Sequence, residues 1–307
     1  MIKIAFIGAG SQSFGPRMIR DVLLSEPLAR VGVELVLMDT VADHLTNNGA
    51  YAQYVRDQLK RQTLLSITTD VRQALDGAAF VICAIERDRW ARWSEDFHIP
   101  RLHGSSQIFG ENGGPGGIFH ALRNIGPMLE IATAMSALCP QAWLLNFSNP
   151  EHKLCEAISR ATRIRSLALC HGVFMGMHQI SMMLGIPLEE LDTAACGLNH
   201  FTWFQRIVHK RTGEDLYPLL RAKEREADWL CQWHELALGR ILFRRFGLWP
   251  SPGGNHYGEY IRWAHEFVPA EAQFFYDPRD GHPWHTGDIP TWHYTIDKAD
   301  TARAWGR

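Results

Sequence analysis

The sequence predicts an α/β protein in which a doubly wound, parallel, Rossmann-type sheet is followed by a mixed α+β half. The prediction rests on three observations. The chain opens with an apolar, β-branched run that ends in glycine, IKIAFIG. A helix-length segment and a second apolar run, VELVLMD, follow within about 40 residues, which makes a βαβ unit. These runs are continuous rather than alternating, as expected for parallel strands that helices cover on both faces.

The remaining elements follow in the same order. For the first half we predict strands at 2–8, 33–39, LLSITTD, 80–85 and 142–148, and helices at about 14–28, 41–61, VRQALDGA and 117–138. Beyond Pro150 we predict helix 151–161, strand 165–170, helix 173–184, the strand-like run TAACGLNHFTWFQRIV and then mainly helix. We therefore expect a nucleotide-binding domain over 1–150 and a second domain over 151–307. The last thirty residues end in no recognisable closing element, so we expect either irregular packing or an incomplete fold.

Composition narrows the class of function. A formal net charge of -2 provides no basic surplus for nucleic acid, which favours a small-molecule partner. No apolar run reaches the roughly 20 residues that cross a membrane, and the N-terminus shows no signal-peptide pattern. The cysteines are scattered without a CxxC pair and are expected to be thiols. We therefore expect a cytoplasmic protein with no membrane partner.

A glycine-rich turn follows the first strand. Gly8, Gly10 and Ser11 would let a pyrophosphate approach the backbone at the N-terminus of a helix. Position 13 is serine, so the third glycine of the usual fingerprint is missing. Asp39 ends the second strand, where a carboxylate can accept from ribose hydroxyls and repel a 2′-phosphate. The pattern predicts NAD; the alternative is a turn without ligand, with Asp39 capping the next helix.

A cysteine and a histidine form a candidate metal site. Cys170 and His171 end a predicted strand, and His200 lies thirty residues on, within the apolar run GLNHFTWF. A thiolate and an imidazole with open positions suit a catalytic Mn, Fe, Co or Ni ion. A buried thiol and a hydrogen-bonded core histidine would explain the same residues, and spacing alone favours that alternative.

Two further segments allow two interpretations each. The run ENGGPGGIFHALRNI could contact an anion or sugar, or be a tight connection to a helix. In NFSNPEH, Asn146 and Asn149 flank the end of a parallel strand, where amides can bind ribose and substrate hydroxyls. Asn149 could instead hold the turn before Pro150.

Taken in order, GAGS, Asp39, GGPGGIFHALRNI, NFSNP, Cys170-His171-Gly172, GLNHFTW and GGNHYGEY resemble glycoside hydrolase family 4. The resemblance implies a fold similar to lactate and malate dehydrogenases, a tightly held NAD, a divalent metal that is usually manganese, and a homo-oligomer. It implies a glycosidase in which NAD oxidises C3 of the sugar and the C2 proton is removed. The aglycone is then eliminated, water adds, and the hydride returns. It makes the second half a metal- and substrate-binding domain.

The resemblance also implies roles for individual residues. Cys170 and His200 match the metal ligands, and Asn149 matches a contact to a substrate hydroxyl. His171 helps the departing group and implies an unphosphorylated α-hexoside or hexuronide. The base falls at His256 or Tyr257. Three arginines could bind a uronate carboxylate or form an exposed basic face: Arg87, Arg89 and Arg92.

Two other functions remain open. A 2-hydroxyacid dehydrogenase of the lactate or malate type would use the same nucleotide half and release reduced cofactor. A catalytically lost NAD-binding module would keep only the first domain's function.

Overall fold

The computed structural model describes residues 1–226, 236–268 and 270–274. They form two compact units along the chain. The first contains Met1–Arg89 and Ala121–Leu169, and the second contains Trp90–His120 and the described residues between 170 and 274. The sequence placed the boundary at residue 150. The structure divides the chain elsewhere because the strand after Pro150 joins the first sheet, while residues 90–120 pack with the second unit. The prediction for the last thirty residues falls outside the described residues.

The first unit is built on a six-stranded parallel sheet with the order β3-β2-β1-β4-β5-β6. This is the strand order of a dinucleotide-binding fold, and it confirms the predicted fold class. The strands are β1 Ile2–Ile7, β2 Val33–Met38, β3 Leu64–Thr68, β4 Phe80–Cys83, β5 Trp143–Asn146 and β6 Arg165–Ala168. The helices along this part of the chain are α1 Gly15–Leu24, α2 Glu26–Val31, α3 Ala42–Gln58, α4 Val71–Leu75, α5 Arg89–Leu102, α6 Gly114–Leu138 and α7 Glu151–Ala161.

The central strands have an apolar core on each face. In β1, Ala5 and Ile7 pack into one cluster, whereas Ile4 and Phe6 pack into the other. Since successive side chains of a strand point to opposite faces, both sets must be apolar when helices cover both sides. This explains why the strand sequences are continuous apolar runs.

The predicted helix 14–28 is in fact two helices. Ser25 ends α1 and caps α2, its hydroxyl accepting from the Leu28 amide at 3.4 Å. Pro27 has no N–H to donate to the preceding turn, but it fits the first turn of a new helix. The Ser-Glu-Pro sequence therefore breaks the helix at this point.

The second unit contains a three-stranded antiparallel sheet with the order β7-β8-β9. Its strands are β7 Leu191–Leu198, β8 Phe201–His209 and β9 Pro250–Ser251. Its helices are α8 Gly172–Leu184, α9 Tyr217–Glu226, α10 Ala237–Phe246, α11 Gly254–Tyr257 and α12 Ala270–Gln273, with short 3-10 helices at Leu188–Glu190, Gly258–Tyr260 and Ala264–Glu266.

The strand-like run around His200 is a hairpin, so the prediction that His200 lies inside a strand was wrong. Asn199 and His200 form the turn between β7 and β8, and His200 has a φ of 62°. Histidine and asparagine tolerate this left-handed conformation better than β-branched residues, which explains a turn inside an apolar run. No helix in the described ranges is long and apolar enough to cross a membrane.

Candidate active site

The glycine turn after β1 is sterically tight. Gly8 has a φ of 84°, and a Cβ on it would overlap the Ala84 carbonyl oxygen that follows β4. The Gly10 amide donates to Asp39 Oδ2 at 2.8 Å, and a Cβ on Gly10 would lie 2.7 Å from that oxygen. A side chain at either position would overlap these neighbours, so glycine lets the backbone of the turn pack closely against Ala84 and Asp39.

Asp39 links this turn to the segment after β2. Its Oδ1 accepts from the Val41 amide at 2.9 Å, while Oδ2 accepts from Gly10. The N-cap of α3 is Val41 rather than Asp39. Because a carboxylate offers about four lone-pair sites, each oxygen can still accept from a ribose hydroxyl.

A third glycine was missed by the sequence analysis. Gly15 opens α1, and a Cβ there would lie 2.7 Å from the Ala9 carbonyl oxygen and would overlap the Asn48 amide. Asn48 donates to the same carbonyl at 2.7 Å, and the Ser11 hydroxyl accepts from the Phe14 amide at 3.1 Å. Gly15 thus lets the start of α1 pack closely against the turn after β1, which is the packing role of the third glycine in the G-x-G-x-x-G fingerprint. In the sequence, the signal for this role was the position of Gly15, five residues after Gly10.

The two asparagines at the end of β5 differ in their contacts. Asn146 is fully buried, and its amide donates to the Ser148 carbonyl at 3.1 Å and accepts from the Ser148 N–H at 2.9 Å. These bonds shape the loop, and a ribose contact by Asn146 stays a prediction. Asn149 is half-buried, and its backbone carbonyl accepts from Asn124 Nδ2 at 2.9 Å.

Within the second unit, Cys170 and His200 come together. The Cys170 side chain is close enough to His200 for a hydrogen bond between them to raise the pKa of the imidazole, and the Gly172 amide donates to Cys170 Sγ at 3.3 Å. Cys170 is half-buried, while His200 is only 4% exposed. Among the described residues, no group of three or more His, Cys, Asp and Glu side chains could hold a metal ion. A metal held by this pair would need water or substrate to complete its shell, as the sequence analysis expected.

Two residues that the sequence analysis missed surround His200. Glu259 Oε2 lies 3.4 Å from His200 Nδ1, and Asn112 Nδ2 lies 2.8 Å from the same ring nitrogen. Burial lowers the pKa of His200, but hydrogen bonds to Cys170 and Glu259 outweigh it and raise the pKa to about 10. Burial raises the pKa of Glu259. Both residues stand in segments already singled out, ENGGPGG and GGNHYGEY, but no local pattern distinguished them from their neighbours.

The structure separates the two candidate bases. The His256 ring lies 4.5 Å from the His200 ring, and its Nδ1 lies 2.7 Å from Asn255 Oδ1. Tyr257 is 1% exposed and packs in an apolar cluster with Leu238. Of the two, His256 is therefore the side chain that lies beside the predicted metal ligands.

The other predicted residues lie at the surface. His171 is exposed and occupies the N-cap position of α8, one residue after Cys170, without a capping hydrogen bond from its side chain. Arg92 is an exposed side chain whose guanidinium forms an ion pair with Glu95 at 2.8 Å. Arg89 makes a 3.4 Å ion pair with Glu86. The pair that involves Arg92 fits the basic-face alternative, and a uronate contact stays a prediction.

The sheet order and glycine turn define an α/β protein with the dehydrogenase type of dinucleotide-binding fold. Lactate dehydrogenase from Eimeria maxima superposes with a TM-score of 0.53 at 16% identity, over 78% of this chain and 68% of that chain. The chain belongs to glycosyl hydrolase family 4. The model for "Family 4 glycosyl hydrolase" matches residues 3–186, and that for its C-terminal domain matches residues 195–297. The resemblance stated from the motifs is thereby confirmed.

Several named relatives are similar along most of the chain. An alpha-glucosidase from Erwinia rhapontici is 34% identical over 86% of this chain and 66% of its own length. An alpha-galactosidase from Bacillus subtilis is 33% identical over 85% of this chain and 59% of its own length. The chain thus spans about three fifths of the relatives' length. The solved 6-phospho-alpha-glucosidase from gut microorganisms in complex with NAD and Mn²⁺ has a TM-score of 0.72 at 22% identity, over 98% of this chain and 74% of that chain.

Proposed function

We propose that this protein is an NAD- and divalent-metal-dependent glycosidase that cleaves an unphosphorylated α-hexoside or hexuronide. The observation that carries the proposal is the pairing of Cys170 with His200 in a chain of this family. A 2-hydroxyacid dehydrogenase would need no thiolate beside a buried imidazole. The dehydrogenase likeness accounts for the sheet but not for this pair.

The described residues are suited to hold both NAD and a divalent cation. The side-chain-free turn at Gly8 and Gly10, with Ser11 and Asp39, would hold the pyrophosphate and ribose of NAD. The thiolate and imidazole of Cys170 and His200 would hold a first-row divalent cation, for which manganese is our expectation. When bound, NAD supplies reversible hydride removal at C3 of the sugar, and the cation supplies charge that makes the C2 proton more acidic.

Side chains of this protein would then remove the C2 proton and assist the departure of the aglycone from C1. His256 would take the C2 proton onto its imidazole, and the electron pair of that C–H bond would form a C1–C2 double bond as the C1–O bond breaks. His171 would protonate the departing oxygen. Water would add its oxygen to C1, and C2 would regain a proton. Asn149 is proposed to bind a substrate hydroxyl, a role taken from the family resemblance.

The residue after the metal cysteine supports the substrate class. His171 carries no negative charge and stands where the resemblance associates histidine with unphosphorylated substrates. A 28% identical phospho-alpha-glucosidase from Clostridium acetobutylicum is also similar to this chain, so the two substrate classes must be tested side by side. We expect turnover of 4-nitrophenyl α-hexosides or α-hexuronides and none of the hexoside 6-phosphates. The reverse preference would contradict the assignment.

Hydrolysis in deuterated water tests the reaction. With Mn²⁺ and NAD present, the released sugar should carry deuterium at C2, because the base exchanges its proton before C2 is reprotonated. His256→Ala should lower turnover by at least about 100-fold, the usual range for losing a general base. Tyr257→Phe, the matched control in the next position, should keep turnover and label because its ring stays in the apolar core.

The alternatives give different results in the same assay. Net NADH without aglycone release would indicate a dehydrogenase. NAD binding with neither product would indicate a catalytically lost module. Aglycone release with an unlabelled C2 would exclude the elimination route.

A further inference from the structure

We propose that Glu259 is a positioning residue that fixes the ring orientation and the protonated nitrogen of His200, so that Nε2 is presented to the divalent cation. The inference rests on the proposed function, since it assigns His200 as a metal ligand. Glu259 was not among the site residues that the sequence indicated. Its side chain is 0% exposed, so a structural reason is needed for burying a carboxylate there.

One carboxylate oxygen is held by the backbone. Oε1 accepts from the Glu111 amide at 2.5 Å and from the Asn112 amide at 2.8 Å. Two backbone donors on one oxygen fix the plane of the carboxyl group. The second oxygen, Oε2, is therefore held facing His200 Nδ1 at 3.4 Å.

The glycine run explains why the backbone comes so close. A Cβ on Gly113 would lie 2.6 Å from the Glu259 carbonyl oxygen and 2.7 Å from its Cβ. The loop and the glutamate can meet only because position 113 has no side chain. The backbone of this glycine-rich loop thus packs against Glu259.

The position of the carboxyl group decides which ring nitrogen is left for the metal, because Oε2 faces Nδ1. With a divalent cation on Nε2, the remaining ring proton lies on Nδ1 and is donated to Glu259 Oε2. The Asn112 amide nitrogen lies 2.8 Å from Nδ1 and 3.4 Å from Nε2, and turning the amide so that its oxygen faces Nδ1 would let it accept the same proton. Carboxylate, histidine and metal in series is a common second-shell arrangement that raises metal affinity.

The substitution Glu259→Gln tests this assignment. The glutamine carbonyl can keep the Glu111 and Asn112 amides, which preserves the loop. Its NH2 then faces Nδ1 and donates to it, which moves the histidine proton to Nε2. We expect Mn²⁺ affinity, measured by titration calorimetry on the full chain, to fall about 10- to 100-fold. The thermal unfolding midpoint without metal should change little.

A spectroscopic measurement separates positioning from simple support of the loop. Co²⁺ bound to wild type should show a thiolate charge-transfer band and d–d bands that report its geometry. In Glu259→Gln both should weaken or shift. Glu266→Gln, an exposed glutamate a few residues on, is the control and should match wild type. Unchanged Mn²⁺ affinity and an unchanged Co²⁺ spectrum in Glu259→Gln would overturn the proposal.

A second variant keeps the test decisive if Glu259→Gln fails to fold. Glu259→Asp shortens the side chain by one methylene, so it cannot hold both loop amides and also reach Nδ1, and Mn²⁺ affinity should fall about 10- to 100-fold. Wild-type Mn²⁺ affinity in a folded Glu259→Asp protein would refute the positioning role. If wild type itself binds no Mn²⁺, both the proposed function and this inference fail. If wild type binds Mn²⁺ and Cys170→Ser loses it while Glu259→Gln does not, only this inference fails.

Discussion

The glycine turn and the Cys170–His200 site are built in opposite ways. In the turn, Gly8 and Gly10 let the backbone pack closely against Ala84 and Asp39, and one half-buried carboxylate accepts from two backbone amides. At the cysteine–histidine site, buried polar side chains bond one another, and they come from distant parts of the chain. The turn depends on the absence of side-chain atoms, whereas the other site depends on their hydrogen bonds. Substitutions should therefore act through steric overlap in the first region and through ligand chemistry in the second.

The largest effect is expected from Cys170→Ser. A hydroxyl is a poor substitute for a thiolate ligand, so Mn²⁺ affinity should fall by more than the roughly 100-fold upper range of second-shell changes, and turnover should be lost. The overall fold should persist, because Cys170 is only half-buried. Calorimetry with Mn²⁺ and far-UV circular dichroism measure the two effects. The exposed Cys196, changed to serine, is the matched control and should behave as wild type. Full turnover in Cys170→Ser would remove the cysteine from the site.

Gly8→Ala should produce the largest steric effect. The left-handed φ costs about 1 kcal/mol for alanine, and the overlap with the Ala84 backbone adds roughly 1–3 kcal/mol. We expect the free energy of unfolding to fall by about 3 kcal/mol, together with NAD affinity. Gly77→Ala separates the two costs, because Gly77 has a φ of 68° and nothing within 4 Å of an added Cβ. It should lose only about 1 kcal/mol. Equal losses in urea denaturation would show that strain, not overlap, dominates.

A smaller change is expected from Asp39→Asn. The amide keeps one acceptor but loses the charge that favours ribose hydroxyls and disfavours a 2′-phosphate. Hydrogen bonds to charged groups contribute about 1.5–3 kcal/mol, so NAD affinity should fall about tenfold while NADP affinity falls less or rises. Titration of both cofactors measures the ratio. Asp43→Asn, exposed in the first turn of α3, should leave it unchanged. A preserved preference for NAD in Asp39→Asn would exclude Asp39 from ribose binding.

The same contrast explains what the sequence could predict. The strands of the first unit form local apolar runs, and the turn with Asp39 lies within about 40 residues, so both were visible as patterns. The break at Ser25 was missed because the apolar spacing continues across it, although Ser-Glu-Pro is a cap signal. The strand at 165–168 belongs to the first sheet because it pairs with β5, and the order of elements along the chain does not reveal which strands pair.

The cysteine–histidine site was only partly predictable. Cys170 and His200 were named from the family resemblance, while their spacing alone favoured a structural role. Glu259 and Asn112 contact His200 from 59 and 88 residues away along the chain, and no periodicity or spacing connects such positions. Tyr257 and His256 are adjacent in sequence, and only the fold shows that one packs in the core.

The left-handed backbone at His200 restricts how the site can change during evolution. Of the non-glycine residues, asparagine, aspartate and histidine adopt a φ near 62° most readily, and all three can bind a divalent cation. Cysteine or glutamate at this corner would add backbone strain to any change of ligand. For the metal ligand proposed at His200, this leaves asparagine and aspartate as the replacements that keep the turn, and both would put an oxygen donor beside the Cys170 sulfur. The conformation of one turn thus limits which ligands a single substitution could supply at this position.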